Sequence, residues 1–230
     1  MKAIILSGGK GERLGNITNS VPKTMIIVDD KPILQHNIEL CKKYGIIDIY
    51  INLHHLPDII IDYFGNGEKF GVNIKYSFEE ELLGTSGAVK NISKQDSYFT
   101  QNPFFLLYGD NYSNYNLNSL KSDSIATIAF HYREDVTNSG VAKFDNNGRI
   151  ISFIEKPKIN ETDSHWVNGG IYYLNPEILN YIPDGCSDFS NDIFPKLLKN
   201  NVPFYGICSD TIVKAFDTVD MLIKNNINLD

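Results

Sequence analysis

Through roughly the first 110 residues two periodicities take turns, and that alternation constrains the fold more than any other feature. Residues 3–6, 47–53, 73–78 and 104–107 read as strands, and the most apolar of them are continuous rather than alternating, as in strands covered on both faces. Between them, residues 32–44 read as a helix with Leu34, Ile38 and Cys41 on one face and Gly45 at its end. Residues 57–64 and 85–92 read as two more helices. The rhythm predicts an α/β fold, a mostly parallel sheet with helices on both faces. From about Ser124 it changes. Residues 125–132, 141–144 and 150–154 read as strands, with Asp145-Asn146-Asn147-Gly148 as a hairpin turn between the last two. Residues 166–174 form a further strand. A helix is expected to begin near Asp192, where Pro195 in the first turn loses no needed hydrogen bond. Residues 217–226 read as a closing helix. Without a linker or repeat, the expectation is one continuous domain, 1–230.

Composition narrows the function. Among 230 residues, 21 Lys and Arg stand against 28 Asp and Glu, a net charge of −7. An acidic surface argues against nucleic acid as a partner and requires any phosphate site to be local. The 3 cysteines, Cys41, Cys186 and Cys208, are odd in number and widely spaced, so neither a disulfide framework nor a metal knuckle is expected. No stretch approaches the ~20 apolar residues of a membrane span, and the N-terminal apolar run is too short for a signal-peptide core. These features predict a soluble cytoplasmic protein with no membrane partner.

The first strand opens directly into Ser7-Gly8-Gly9-Lys10-Gly11-Glu12-Arg13-Leu14, and regular patterning resumes only near Thr24-Met25. So long a connection in a compact domain is usually functional. Three glycines let several N–H groups converge on one point, where they can hold phosphate oxygens, and Arg13 and Lys23 bracket the loop with positive charge. The P-loop pattern does not fit. The dinucleotide fingerprint begins at Gly9 and Gly11 but has Leu14 at its third glycine, and the second strand ends at Leu53-His54-His55 with no acid for a ribose.

The string Ala3-Ile-Ile-Leu-Ser-Gly-Gly-x-Gly-x-Arg-Leu, followed by Pro22-Lys23, resembles the signature of the sugar-1-phosphate nucleotidyltransferases, or NDP-sugar pyrophosphorylases. Ser7 stands where that family often has Ala, and Glu12 where Thr is usual. The resemblance implies a Rossmann-like, mostly parallel mixed sheet of the GT-A-like type with an added sugar-binding lobe. Residues 1–123 would serve the nucleotide and 124–230 the sugar phosphate. It also implies that Leu6, Gly8, Gly9 and Gly11 contact the nucleotide and that Arg13 and Lys23 grip its phosphates.

Further motifs agree in order. Phe104-Phe-Leu-Leu-Tyr-Gly-Asp110 is an apolar strand ending in an acid, at the strand end where open α/β sheets bind ligands, and a carboxylate is a hard donor suited to Mg²⁺. Gly109-Asp110 resembles the family's metal aspartate. For the second ligand, Phe216-Asp217-Thr218-Val219-Asp220 lacks the Ile-Gly of many members. Asp217 is the candidate, with a helix N-cap as its plain role, and alignment on the threonine would instead put Ala215 there. Glu79-Glu-Glu-Leu-Leu-Gly-Thr-Ser-Gly resembles the base-binding segment, with Leu82 for its usual Pro; Glu79, Gly84 and Thr85 would contact the nucleotide, and Gly84 and Gly87 would admit a flat base. Guanine offers two adjacent donors to an acceptor-only carboxylate, which makes Glu79 favour GTP. Glu155-Lys156-Pro157 and Asn168-Gly169-Gly170-Ile171-Tyr172 resemble the sugar-phosphate motifs, with Glu155, Lys156, Asn168 and Gly169 as contacts.

The implied reaction joins an NTP, GTP favoured, to a sugar 1-phosphate of heptose or mannose type, with Mg²⁺ as cofactor. Its products are pyrophosphate and an NDP-sugar for surface polysaccharide synthesis. A cytidylyl- or uridylyltransferase for another sugar is the alternative. A non-catalytic nucleotide-sugar-binding regulator would be expected to lack Arg13, Lys23 or Asp110, and all are present. Members of the family are often oligomeric, so a homo-oligomer is among the expectations.

Overall fold

A computed structural model of the chain describes residues 1–211 and 213–215. The closing helix and Asp217 lie outside the described residues. β1 (Lys2–Leu6) leads through the glycine segment and a 3-10 stretch (Glu12–Asn19) to a small ladder of β2 (Ile27–Val28) and β3 (Lys31–Pro32). There follow α1 (Ile33–Lys43), β4 (Asp48–Leu53), α2 (Pro57–Phe64) and β5 (Asn73–Phe78). Next come α3 (Gly84–Gln95), a single turn α4 (Tyr98–Gln101), β6 (Phe104–Tyr108) and β7 (Asn111–Ser113). The second half holds β8 (Ala126–Tyr132), β9 (Gly140–Phe144), β10 (Ile150–Glu155) and β11 (Trp166–Leu174). It closes with α5 (Phe194–Lys199), β12 (Tyr205–Ser209) and β13 (Val213–Ala215).

The chain packs as two compact units. The first takes residues 1–82, 107–114 and 213–215. In it β1, β4 and β5 form a parallel ladder, Lys2↔Asp48 through Leu6↔Asn52 and Asp48↔Asn73 through Leu53↔Phe78. Ala3, Ile4 and Ile5 are fully buried, which is why this run is continuous rather than alternating. α1 buries Leu34, Ile38 and Cys41, the face its 3.6-residue spacing marks, and Gly45 follows its end at φ 74°. β7 pairs antiparallel with β13, Ser113 opposite Val213.

The second unit takes residues 83–106 and 115–212. Its strand order is β10-β9-β11-β8-β12, antiparallel except for β8 with β12. The β9–β10 turn forms as its Asp-Asn-Asn-Gly sequence predicts: Asp145 Oδ1 accepts the N–H groups of Asn147 (2.8 Å) and Arg149 (3.0 Å), and Gly148 takes φ 78°. Tyr172, Phe189, Phe194 and Phe204 form an aromatic core, with Phe194 and Phe204 stacked at 5.5 Å. The helix expected near Asp192 starts later. Asp192 accepts the Asp188 N–H at 2.7 Å, a π turn (Phe189–Ile193) intervenes, and regular α bonding begins at Phe194 with Pro195 in its first turn. β12 is a strand that the sequence pattern does not announce.

Candidate nucleotide and sugar-phosphate sites

The glycine segment is held in shape by the residues on its C-terminal side. Leu14, 1% exposed, is buried with Ile26, Val28 and Ile33, and its N–H closes a tight turn on Gly11 O at 2.9 Å. Burying one leucine is worth about 1.5–3 kcal/mol, enough to pin an otherwise irregular stretch. Gly11 adopts φ 68°, and a Cβ there would come 2.8 Å from Thr18 Cγ2. Thr18 Oγ1 donates to Gly11 O at 3.1 Å, and His55 Nε2 lies 2.6 Å from Thr18 O. Gly9, Lys10 and Arg13 remain exposed.

Lys23 and Asp110 meet. The lysine is buried, the aspartate side chain is 30% exposed, and Lys23 Nζ donates to Asp110 Oδ2. Asp110 is placed by β6 and by a brace around it. Gly109 N–H donates to Leu6 O at 2.9 Å, and Asn37 Nδ2 reaches Gly109 O (3.2 Å) and Asn111 O (2.9 Å). The sequence expectations of a phosphate-directed lysine and an acid at a strand end thus fall on one contact, 87 residues apart in the chain.

Glu79 follows β5 and is 6% exposed. Its N–H donates to Leu53 O at 2.8 Å, and its Oε1 accepts from Asn52 Nδ2 at 2.8 Å. Asn52 Oδ1 in turn accepts the Ser7 N–H at 2.8 Å. His54 is half-buried with Nδ1 2.9 Å from Glu79 O. Among the described residues no three His, Cys, Asp or Glu side chains gather as a metal cluster.

In the second unit, Gly84 and Gly87 lie against protein. A Cβ at Gly84 would stand 2.4 Å from Ser187 O, and one at Gly87 2.4 Å from Gly185 O. A side chain at either position would thus meet backbone. Thr85 is engaged as well: its N–H and Oγ1 donate to Asp188 Oδ1 (3.1 and 3.0 Å), and Phe189 N–H donates to Thr85 Oγ1.

The sugar-phosphate candidates lie on neighbouring strands of this unit. Glu155 pairs with Gly140, whose missing side chain leaves room for Glu155 Oε2, 2.8 Å from where a Cβ would be. Val141 pairs with Val167, which brings Asn168 beside Gly140 one step along. Lys156 is exposed and takes φ 50°, unusual for a lysine and held by its N–H to Ser139 O at 3.0 Å. Such outliers concentrate at functional positions. Asn168 braces a bulge, donating to Tyr172 Oη at 2.6 Å and accepting Gly170 N–H at 2.9 Å, and Gly169 sits against Ala129 O.

Asn52, Asn37, Gly140 and Asp188 escaped the sequence reading, since each acts through partners distant in the chain. The His54-His55-Leu56-Pro57 run after β4 offered at most a hint of a turn.

A family model described as "Nucleotidyl transferase" matches residues 2–212. The UTP–glucose-1-phosphate uridylyltransferase of Synechocystis sp. is 37% identical over 96% of this chain and 60% of its own length. The D-glycero-alpha-D-manno-heptose 1-phosphate guanylyltransferase of Campylobacter jejuni is 37% identical over 78% of both chains. The crystal structure of HddC from Yersinia pseudotuberculosis, complexed with GMP-PN, gives a TM-score of 0.81 at 25% identity and covers 97% of each chain. The chain spans only 60% of the Synechocystis relative's length.

Proposed function

Because the chain belongs to the nucleotidyl transferase family, we propose that it transfers a nucleoside monophosphate from an NTP to a sugar 1-phosphate. An oxygen of the sugar phosphate attacks the α-phosphorus, the bond from that phosphorus to the bridging oxygen breaks, and its electron pair leaves with pyrophosphate. The nucleophile is already anionic at neutral pH, so no general base is required. The obstacle is charge: an anion must approach a polyanion. Lys23 and Arg13 lower that barrier at the nucleotide's phosphates, and Lys156 holds the attacking phosphate. Leu6, Gly8, Gly9, Gly11 and Glu79 serve the nucleotide, with Gly84 and Thr85 supporting it from the start of α3. Glu155, Asn168 and Gly169 serve the sugar.

Members of this family typically use a divalent metal. Asp110 fits Mg²⁺: a partly exposed carboxylate at a strand end supplies the hard oxygen donor, and this ion is usually bound by one or two carboxylates plus substrate phosphates. Asp217 is the second carboxylate proposed. Bound there, the ion would supply positive charge to the phosphates.

The observation that carries this reading is the Lys23–Asp110 contact beside the glycine segment. GTP is the proposed donor, because Glu79 presents acceptors to guanine's adjacent donors, and heptose or mannose 1-phosphate is the proposed acceptor. The product would feed surface polysaccharide assembly from the cytoplasm, where exposed thiols such as Cys186 and Cys208 stay reduced. The likeness to the Synechocystis relative across 96% of the chain favours a second reading, with UTP as donor. Pyrophosphate release measured with four NTPs against a panel of sugar 1-phosphates decides between them; higher kcat/KM with UTP removes the guanine assignment. Lys23→Ala and Asp110→Ala should each lower kcat/KM by about two orders of magnitude or more while the melting curve stays cooperative. Near-normal turnover in Asp110→Ala would reject its role.

A further inference from the structure

We propose that Asn52 is a positioning residue for the nucleotide, tying the Glu79 carboxylate to the first amide of the glycine segment so that base contact and phosphate loop stay in register. The inference rests on the nucleotidyl-transfer reading. Asn52 is 4% exposed and lies beside Leu6 in the β1–β4 ladder, where β1 gives way to the loop. Its amide has one permitted orientation. The Ser7 N–H can only donate, so Oδ1 faces Ser7, and Nδ2 must then face Glu79 Oε1. Glu79 cannot drift, since its own N–H is fixed on Leu53 O.

The same amide explains Gly8. A Cβ on Gly8 would fall 2.8 Å from Asn52 Nδ2 and 3.6 Å from Glu79 Oε2. The first glycine of the loop is therefore required by this buried pair, quite apart from any phosphate. A leucine at 52 would fill the volume but would take the acceptor from Ser7 and the donor from Glu79. The polarity of the side chain, not its size, makes the link.

Three proteins test this: wild type, Asn52→Asp, and Asn52→Asp combined with Glu79→Gln. Asn52→Asp keeps an acceptor for Ser7 but sets carboxylate against carboxylate. Adding Glu79→Gln restores the bond with its direction reversed. Each is measured for KM of the NTP, KM of the sugar 1-phosphate, kcat, and the thermal shift produced by NTP alone. Asn52→Asp should raise the NTP KM about tenfold or more, as expected for a hydrogen bond to a charged group, and shrink the NTP-induced shift. The sugar 1-phosphate KM should change less than about twofold, and the double variant should regain the melting temperature lost in Asn52→Asp, its NTP KM being set also by the changed base contact at position 79. An unchanged NTP KM in Asn52→Asp, or a melting temperature in the double variant no higher than in the single one, overturns the proposal. A wild-type protein that shifts with NTP but turns nothing over would sink the transfer reading alone, leaving Asn52 to be judged by the shifts. No shift with any NTP would overturn both.

Discussion

His131 shows what one buried side chain does to the pH response of the molecule. It stands on β8 at 7% exposure, paired in register with Val167 and Ser209, and neither ring nitrogen has a hydrogen-bond partner among the described residues. Burial, assisted by the charge of Arg133, pulls its pKa down to about 4. The unfolded chain, with a histidine near 6.5, therefore binds the proton more readily than the folded one as pH falls between those values. Stability should be full at neutral pH and decline from about pH 6.5 downward, by roughly 2 kcal/mol between pH 7 and 5 for this group. Urea melts across that range should show the slope in wild type and a flatter one in His131→Leu; equal slopes would assign the acid response elsewhere. Legibility at this scale was uneven. The candidates Arg13, Lys23 and Asp110 were visible in the sequence, because charge beside glycine and an acid at a strand end are local patterns. Asn52 did not: an asparagine near the end of an apolar strand has no signature until Ser7, 45 residues before it, and Glu79, 27 after it, come to meet it.

Elements were legible wherever burial imposed a period. The parallel ladder of β1, β4 and β5 and the apolar face of α1 follow from runs and spacings that only those structures satisfy. β12 was missed because Tyr-Gly-Ile-Cys-Ser mixes an aromatic, a glycine and small polar residues, and its strand character is imposed by pairing with β8. At α3 the sequence located the helix but not the packing around its glycines. The backbone at 185–187 passes so close that residues 84 and 87 have no room for a side chain. Gly87→Ala should consequently cost about 2–3 kcal/mol, although alanine is the better helix former, since a Cβ at 2.4 Å from a carbonyl oxygen forces a backbone shift. A melting temperature at or above wild type in Gly87→Ala would show that this packing gives way without cost.

At the scale of the whole molecule, cohesion and chemistry rest on different groups. Both units are held by apolar cores, while no three metal-ligating side chains cluster among the described residues. A chelator should thus stop turnover yet leave the melting temperature within about 2 °C, and excess Mg²⁺ should restore the rate. A large drop in melting temperature on chelation would mean that the ion also holds the fold. The net charge of −7 points the same way: on an acidic surface, a phosphate site must draw on local lysines and arginines.

On the proposed base contact at Glu79, the locked amide at position 52 also limits which side chains can stand opposite the base. Because its nitrogen faces residue 79, only an acceptor is tolerated there, and a lysine or arginine would meet a donor head-on. Placing a cation there is consequently a two-site problem, in which the new side chain after the third strand of the parallel ladder must be matched by a reversal of polarity in the strand beside it, whereas a neutral amide still offers the oxygen that Asn52 needs.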